Sequence, residues 1–91
     1  MYWVYLLANQ GRSLYCGVTN DLNERTFNHK FEHGSKFTTQ YEINKLVWFE
    51  SYESPLPAIE REKQIKRWRR DKKVSLIEAI NPEWDDLYAS L

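Results

Sequence analysis

The alternation of apolar and polar positions predicts three strands. Tyr2 to Leu7 and Leu14 to Val18 are rich in aromatic and β-branched side chains. The Asn, Gln and Gly residues between them are a turn signal, so the two runs are expected to form an antiparallel hairpin. A third run of the same character, Lys45 to Tyr52, predicts the third strand.

Three helices are predicted from their start and stop signals. Their expected bounds are Asn20 to about His33-Gly34, Pro57 to about Arg70, and Asp71 to Ile80. The segment Ser54 to Pro57 is expected to be extended, because a residue that precedes proline avoids the helical region. The order ββαβαα predicts an α/β protein of the α+β type, in which helices flank a small three-stranded antiparallel sheet.

Length and composition predict one domain over residues 1–91, with no separate recognition domain. The single Cys16 cannot form an internal disulfide, which fits a reducing compartment. Met1 to Ala8 is apolar but lacks the basic start of a signal peptide. No run approaches the ~20 apolar residues of a membrane helix. A cytoplasmic protein without a membrane partner is therefore expected.

Thirteen basic and thirteen acidic residues cancel, yet the positive charge is concentrated in one stretch. Arg61 to Lys73 contains eight basic and two acidic residues, a local excess of six positive charges. Such a stripe can bind a polyanion even when the whole molecule is neutral. A solvated helix face is the alternative interpretation.

Glu62 is a carboxylate in an unexpected position on the second predicted helix. At 100° per residue, Ala58, Ile59, Ile65 and Trp68 define the buried face, and Glu62 falls in its middle. A carboxylate directed at a core is unfavourable unless it is paired or holds a cation. Glu62 is therefore either a metal ligand or half of a partly buried salt bridge, with Arg25 or Lys30 as the expected partner.

Arg25 and His29 lie four residues apart on the first predicted helix, so both project from one side. An arginine fork fits a phosphate group, and a histidine beside it can donate to phosphate or transfer a proton. Phe27 and Phe31 lie on a different side of the helix from Arg25 and His29 and are expected to face the core. An ordinary polar face is the alternative interpretation of Arg25 and His29.

The predicted hairpin contributes two tyrosines. Strand alternation lets Tyr5 and Tyr15 lie side by side, with Gly17 leaving room for a ligand to approach the backbone. Core or surface aromatic residues are the commoner use of such side chains.

The order of these features along the chain resembles the GIY-YIG nuclease superfamily. The resemblance rests on Val4-Tyr5, Tyr15-Cys16-Gly17, the stretch from Thr19 to Arg25 with His29, and the helix that carries Glu62. Residues Arg61 to Lys66 and the later Asn81-Pro82-Glu83-Trp84 look like the small stand-alone bacterial branch, related to the endonuclease domain of the excision-repair nuclease.

The resemblance implies an endonuclease that hydrolyses nucleic-acid phosphodiester bonds with one Mg²⁺ or Mn²⁺ ion, in DNA repair, recombination or nucleic-acid processing. It implies catalytic roles for Tyr5, Tyr15, Arg25, His29 and Glu62, with Glu62 as the metal ligand. Nucleic acid is the implied partner, with DNA favoured over RNA. Whether the chain is a monomer or a homodimer is left open.

The expected nucleic-acid contacts outside this set are Lys30, Lys36, Lys63, Lys66, Arg67, Arg69, Arg70 and Asn81. The segment Ser35 to Tyr41 is a candidate substrate-contacting loop. The chain departs from the family pattern at Trp3 and Cys16, which are structural positions. Val18 replaces a lysine of repair-type members, and His29, Lys30 or Lys36 are the candidates to substitute for it.

Two other functions fit the same fold. A nucleic-acid-binding module without cleavage requires only the basic stripe. A protein-interaction scaffold predicts an exposed apolar patch formed by Trp48, Trp68 or Trp84.

Overall fold

A three-stranded antiparallel sheet forms the centre of the fold. The computed structural model describes residues 1–31 and 40–91. Strand β1 (Tyr2–Ala8) lies between β2 (Leu14–Thr19) and β3 (Lys45–Tyr52), and both pairings are antiparallel. The predicted hairpin, third strand and sheet are confirmed.

Three helices flank this sheet. They are α1 (Leu22–Phe31), α2 (Pro55–Arg67) and α3 (Arg70–Glu78), and a 3-10 helix (Leu87–Ser90) follows them. The predicted order ββαβαα is confirmed. The expected end of the first helix at His33-Gly34 lies outside the described residues.

Helix α2 begins two residues earlier than predicted, at Pro55 instead of Pro57. Ser54 is extended, with φ −130° and ψ 158°, as a residue before proline prefers. Leu56 is helical although it also precedes a proline. Both prolines fit because they lie in the first helical turn, where backbone N–H groups have no acceptor within the helix.

The predicted continuation of this helix to Arg70 is wrong. Trp68 (φ −71°, ψ 150°) and Arg69 (φ −66°, ψ 157°) are extended, so the chain turns between α2 and α3. The turn lets the half-buried Trp68 pack against the core. Asp71, expected as the cap of the third helix, lies in its first turn instead.

Each face of the sheet has its own core. Val4, Leu6 and Ala8 of β1 face α2 and α3, whereas Tyr5 and Leu7 face the side of α1. The first core also contains the buried residues Cys16, Val47, Trp48, Ala58, Ile65, Ile77 and Trp84. The second also contains Leu22, Ile43 and Leu46.

Helix α1 presents a different face to the sheet from the one predicted. Its buried residues are Leu22, Thr26 and His29, whereas Phe27 and Phe31 are 41% and 66% exposed. The Thr26 hydroxyl donates to the Leu22 carbonyl at 2.7 Å, so this polar side chain can be buried without an outside partner. The expectation that Phe27 and Phe31 face the core is therefore wrong. Their rings pack on each other, with centroids 5.0 Å apart.

A β-bulge interrupts β3 and is capped by the C-terminal segment. Leu46 and Trp48 pair with consecutive residues of β1, so Val47 is an extra residue. The Asn81 amide donates to the Val47 carbonyl at 3.0 Å, and the Asp86 carboxylate accepts from the Leu46 N–H at 3.1 Å. These contacts satisfy two backbone groups of β3 beside the bulge.

Candidate active site

Three rings from three elements meet on the face of the sheet that α1 covers. They belong to Tyr5 of β1, Tyr15 of β2 and His29 of α1. The ring centroids are 6.4 Å apart for the two tyrosines, 6.2 Å for Tyr5 and His29, and 5.5 Å for Tyr15 and His29. The tyrosines are diagonal neighbours, because Tyr5 pairs with Gly17 in the β1–β2 register.

The ring of Tyr5 occupies the space above Gly17. A Cβ atom at position 17 would lie 2.5 Å from the Tyr5 hydroxyl oxygen and 2.6 Å from Cζ, which is too close for any side chain. The expectation that Gly17 leaves room for a ligand is therefore wrong, because the protein's own phenol fills that space. Gly17 instead allows Tyr5 to be buried against the strand.

His29 is a buried imidazole beside the Tyr5 hydroxyl, with Nε2 3.5 Å from the hydroxyl oxygen. Burial lowers the pKa of His29 below its ordinary value of 6.5, and the positive charge of Arg25 lowers it further. The ring is therefore neutral at neutral pH, and a neutral imidazole has one nitrogen that can accept a proton.

Tyr5 is held in its protonated form. Burial raises the pKa of its hydroxyl above the ordinary value of 10, and Tyr15, Cys16 and Glu62 raise it further, while Arg25 acts in the opposite direction. A phenol in this state orients a neighbour by hydrogen bonding and is a poor proton acceptor at neutral pH.

Arg25 lies one turn before His29 on α1 and is exposed. Within residues 1–31 and 40–91, its guanidinium forms no salt bridge. Its charge nevertheless acts on both Tyr5 and His29. An exposed guanidinium beside the rings is available to an anion from solvent.

Glu62 lies on the inward side of α2, between the fully buried Ala58 and Ile65. Its side chain is 15% exposed, and its Oε2 accepts from the Lys66 ammonium at 3.2 Å. The expected pairing with Arg25 or Lys30 is therefore wrong, since the partner comes from the next turn of α2. Ile59, assigned to the buried face, is 36% exposed.

The charge of Glu62 reaches both faces of β2. Burial raises the pKa of the Cys16 thiol, and Glu62 raises it further, to about 11. Burial likewise raises the pKa of Tyr5, to which Glu62 makes a smaller contribution. Cys16 belongs to the core under α2, and Tyr5 belongs to the ring cluster on the other face. Because β2 is an outer strand of the sheet, no further strand separates the two faces at its edge.

Two residues predicted to contact nucleic acid have structural partners. The Lys30 side chain is 14% exposed and forms a salt bridge with Asp86. The buried Asn81 amide donates to the carbonyls of Val47 and Asp85 and accepts from the Asp85 N–H. Through these contacts Lys30 and Asn81 help to hold the C-terminal segment against the rest of the fold. Lys36 and most of the proposed Ser35–Tyr41 loop lie outside the described residues.

The basic stripe carries less available charge than the sequence suggests. Arg61 donates to Glu50 at 3.1 Å and to Gln64 at 2.8 Å, and it lies over the ring of Trp68. Lys66 is paired with Glu62, and Arg69 lies 3.7 Å from Asp71. The exposed cations without a salt bridge in the described part of the stripe are Lys63, Arg67, Arg70 and Lys72.

The apolar patch expected of a scaffold does not form from the tryptophans. Trp48 and Trp84 are buried in the first core, and Trp68 is half-buried with Arg61 and Lys72 over its ring. This removes the feature on which the scaffold interpretation depended.

The donor set fits a metal ion that needs few protein ligands. In the described ranges, no group of three or more His, Cys, Asp or Glu side chains converges on one point. Glu62 is the carboxylate whose charge acts on the ring cluster. Mg²⁺ keeps several of its waters and binds through one or two carboxylates plus substrate phosphate oxygens. One inward carboxylate, with the remaining ligands supplied by water and substrate, is compatible with such an ion.

The family to which this fold and site belong is shown by comparison with known proteins. The model of the GIY-YIG catalytic domain matches residues 1–75. The chain therefore belongs to the GIY-YIG family, as its motifs indicated.

Within that family, the chain is similar to small UPF0213 proteins. It is 37% identical over 78 residues to one from Vibrio parahaemolyticus, covering 85% of this chain and 74% of that protein. It is 40% identical over 77 residues to one from Clostridium perfringens, covering 85% and 83%. The solution NMR structure of a UPF0213 protein from Bacillus halodurans superposes with a TM-score of 0.60 at 28% identity, covering 94% and 93% of the two chains.

Across the described ranges, none of the helices has the length and apolar character needed to span a bilayer.

Proposed function

We propose that this protein is a divalent-metal-dependent nuclease that hydrolyses phosphodiester bonds in nucleic acid, with DNA as the favoured substrate. The observation that carries the proposal is the meeting of the buried His29 with Tyr5 and Tyr15, while the exposed Arg25 on the same helix forms no salt bridge with any residue in the described ranges. Membership of the GIY-YIG family supports a nucleic-acid substrate.

The residues on this face can divide the work of hydrolysis. Arg25 would bind the phosphate oxygens and neutralise the negative charge that grows on them in the transition state. His29 would accept the proton of the attacking water as its oxygen bonds to phosphorus. The bond from phosphorus to the leaving 3′ oxygen then breaks, and that oxygen takes up a proton. Tyr15 would orient the water, and Tyr5 would orient His29.

Glu62 is the residue that would hold the metal ion. A bound divalent cation acts as a Lewis acid and stabilises negative charge on the leaving oxygen. The α2 core and the ring cluster lie on opposite faces of the sheet, so Glu62 would have to reach the phosphate past the outer strand β2.

Incubation of the protein with labelled single-stranded, duplex and branched DNA, and with RNA, tests this proposal. With Mg²⁺ or Mn²⁺ we expect DNA cleavage, and with a chelator we expect none. A preference for branched DNA would support a function in repair or recombination. Binding of these substrates without cleavage in either metal would instead establish a binding module.

The binding module is the second candidate function, and one surface favours it. Lys63 and Arg67 line an open groove on α2 together with Glu60, Gln64 and Trp68. Two exposed cations in one groove can hold a nucleic-acid backbone. The nuclease is preferred because this groove does not account for the ring cluster.

Cleavage is expected to depend on pH through His29. Because burial and Arg25 lower the pKa of this imidazole, its neutral form persists at neutral pH and is lost only as the pH falls below the ordinary value of 6.5. Single-turnover rates between pH 5 and 8 should therefore be nearly constant at the upper end and fall in the acidic range. A rate that keeps rising tenfold per pH unit above pH 7 would point to metal-bound water or a tyrosine as the titrating group.

A further inference from the structure

Lys66 is the cation that forms a salt bridge with Glu62 in this structure. Its Nζ lies 3.2 Å from Glu62 Oε2, and the two residues are one helical turn apart on α2. The carboxylate side chain is 15% exposed, whereas the lysine side chain is 52% exposed. The more accessible member of the pair is thus the ammonium.

The charges of Glu62 and Lys66 also act on the thiol of Cys16. At Cys16 the charge of Glu62 raises the pKa, while Lys66 and Lys73 lower it. Glu62 and Lys66 therefore act on one small region beside β2, where an ammonium and a divalent ion near the same carboxylate would repel each other.

We infer that Lys66 competes with the metal, so that a divalent cation binds Glu62 only by displacing the Lys66 ammonium. The inference rests on the proposed function, because it assumes that Glu62 is the metal ligand. Lys66 is suited to this exchange because its long, flexible stem lets an exposed ammonium move into solvent. It is a positioning residue that sets metal affinity and not a group that reacts.

Direct measurement of Mn²⁺ binding to the full chain tests the inference without any cleavage assay. Lys66→Gln removes the competing charge, and Lys63→Gln is the matched control, since it removes the same charge from an exposed position one turn earlier on α2. An exposed ion pair of this kind is weak, so we expect Lys66→Gln to bind Mn²⁺ about two- to five-fold more tightly than Lys63→Gln. Glu62→Gln should abolish the binding.

Urea unfolding adds a second readout that also shows whether each variant folds. The same high Mn²⁺ concentration should raise the unfolding midpoint of Lys66→Gln by more than that of Lys63→Gln. A ligand that binds the folded state stabilises it by an amount that increases with its affinity. Equal Mn²⁺ affinities for the two lysine variants, with binding still lost in Glu62→Gln, would overturn the inference and leave the metal site standing. Absence of any binding that depends on Glu62 would overturn both the inference and the metal assignment in the proposed function.

Discussion

Glu62→Gln is expected to reduce metal-dependent cleavage by about 10³-fold while the protein stays folded. Glutamine keeps the size and one oxygen of the side chain but removes the charge that would hold the metal. Loss of a metal ion that stabilises the leaving oxygen removes several kcal/mol of transition-state stabilisation, and each ~1.4 kcal/mol is tenfold in rate. The lost salt bridge to the half-exposed Lys66 contributes less than about 1 kcal/mol to stability.

The measurement is a single-turnover cleavage rate in saturating Mg²⁺, with urea unfolding of the same preparations. Glu60→Gln is the matched control, because Glu60 is an exposed carboxylate on the same helix and belongs to the groove instead of the inward face. The control should cut at nearly the wild-type rate. If Glu62→Gln cuts as fast as the control, the metal has another ligand or the activity comes from a contaminant.

Arg25→Ala is expected to reduce cleavage by about 10²- to 10³-fold, the usual result of removing one preorganised group that stabilises transition-state charge. Arg25→Lys should recover only part of the rate, because an ammonium lacks the planar fork that binds two phosphate oxygens. Arg25 is exposed and unpaired in the described structure, so neither change should disturb folding.

The titration of His29, followed by NMR, separates the electrostatic effect of Arg25 from a structural one. Since the positive charge of Arg25 lowers the pKa of His29, Arg25→Ala should raise that pKa, and Arg25→Lys should raise it less. Arg69→Ala serves as the charge-matched control and should leave the pKa of His29 unchanged, because Arg69 does not act on that imidazole. Wild-type cleavage by Arg25→Ala would remove Arg25 from the site.

The strands and the neighbouring positions of Tyr5 and Tyr15 could be predicted because local patterns determine them. Period-two alternation and one turn signal bring β1 and β2 together in a register that makes Tyr5 and Tyr15 diagonal neighbours. A spacing of four residues on α1 then places Arg25 and His29 on one side. These are short-range geometric rules, and the side chains that they bring together needed no knowledge of the rest of the chain.

Local patterns do not reveal contacts between residues that are distant in the sequence. Lys30 and Asp86 are 56 residues apart, and Asn81 and Val47 are 34 apart, so no local pattern shows that these side chains are engaged. The expectation that Phe31 faces the core is wrong for a similar reason, because packing against the sheet decides which side of α1 is buried. By contrast, the spacing of four between Glu62 and Lys66 was visible in the sequence and was the one missed local signal.

The capped bulge in β3 has a consequence for trimming the protein. A fragment cut at residue 75, where the family match ends, would keep all five candidate site residues but lose Asn81 and Asp86. Two backbone groups near Val47 and the shielded Lys30 ammonium would then lack partners, at about 1–3 kcal/mol for each neutral group. The exposed edge of β3 could then also pair with a strand of another molecule. Inactivity of such a minimal fragment would therefore report misfolding and say nothing about its chemistry.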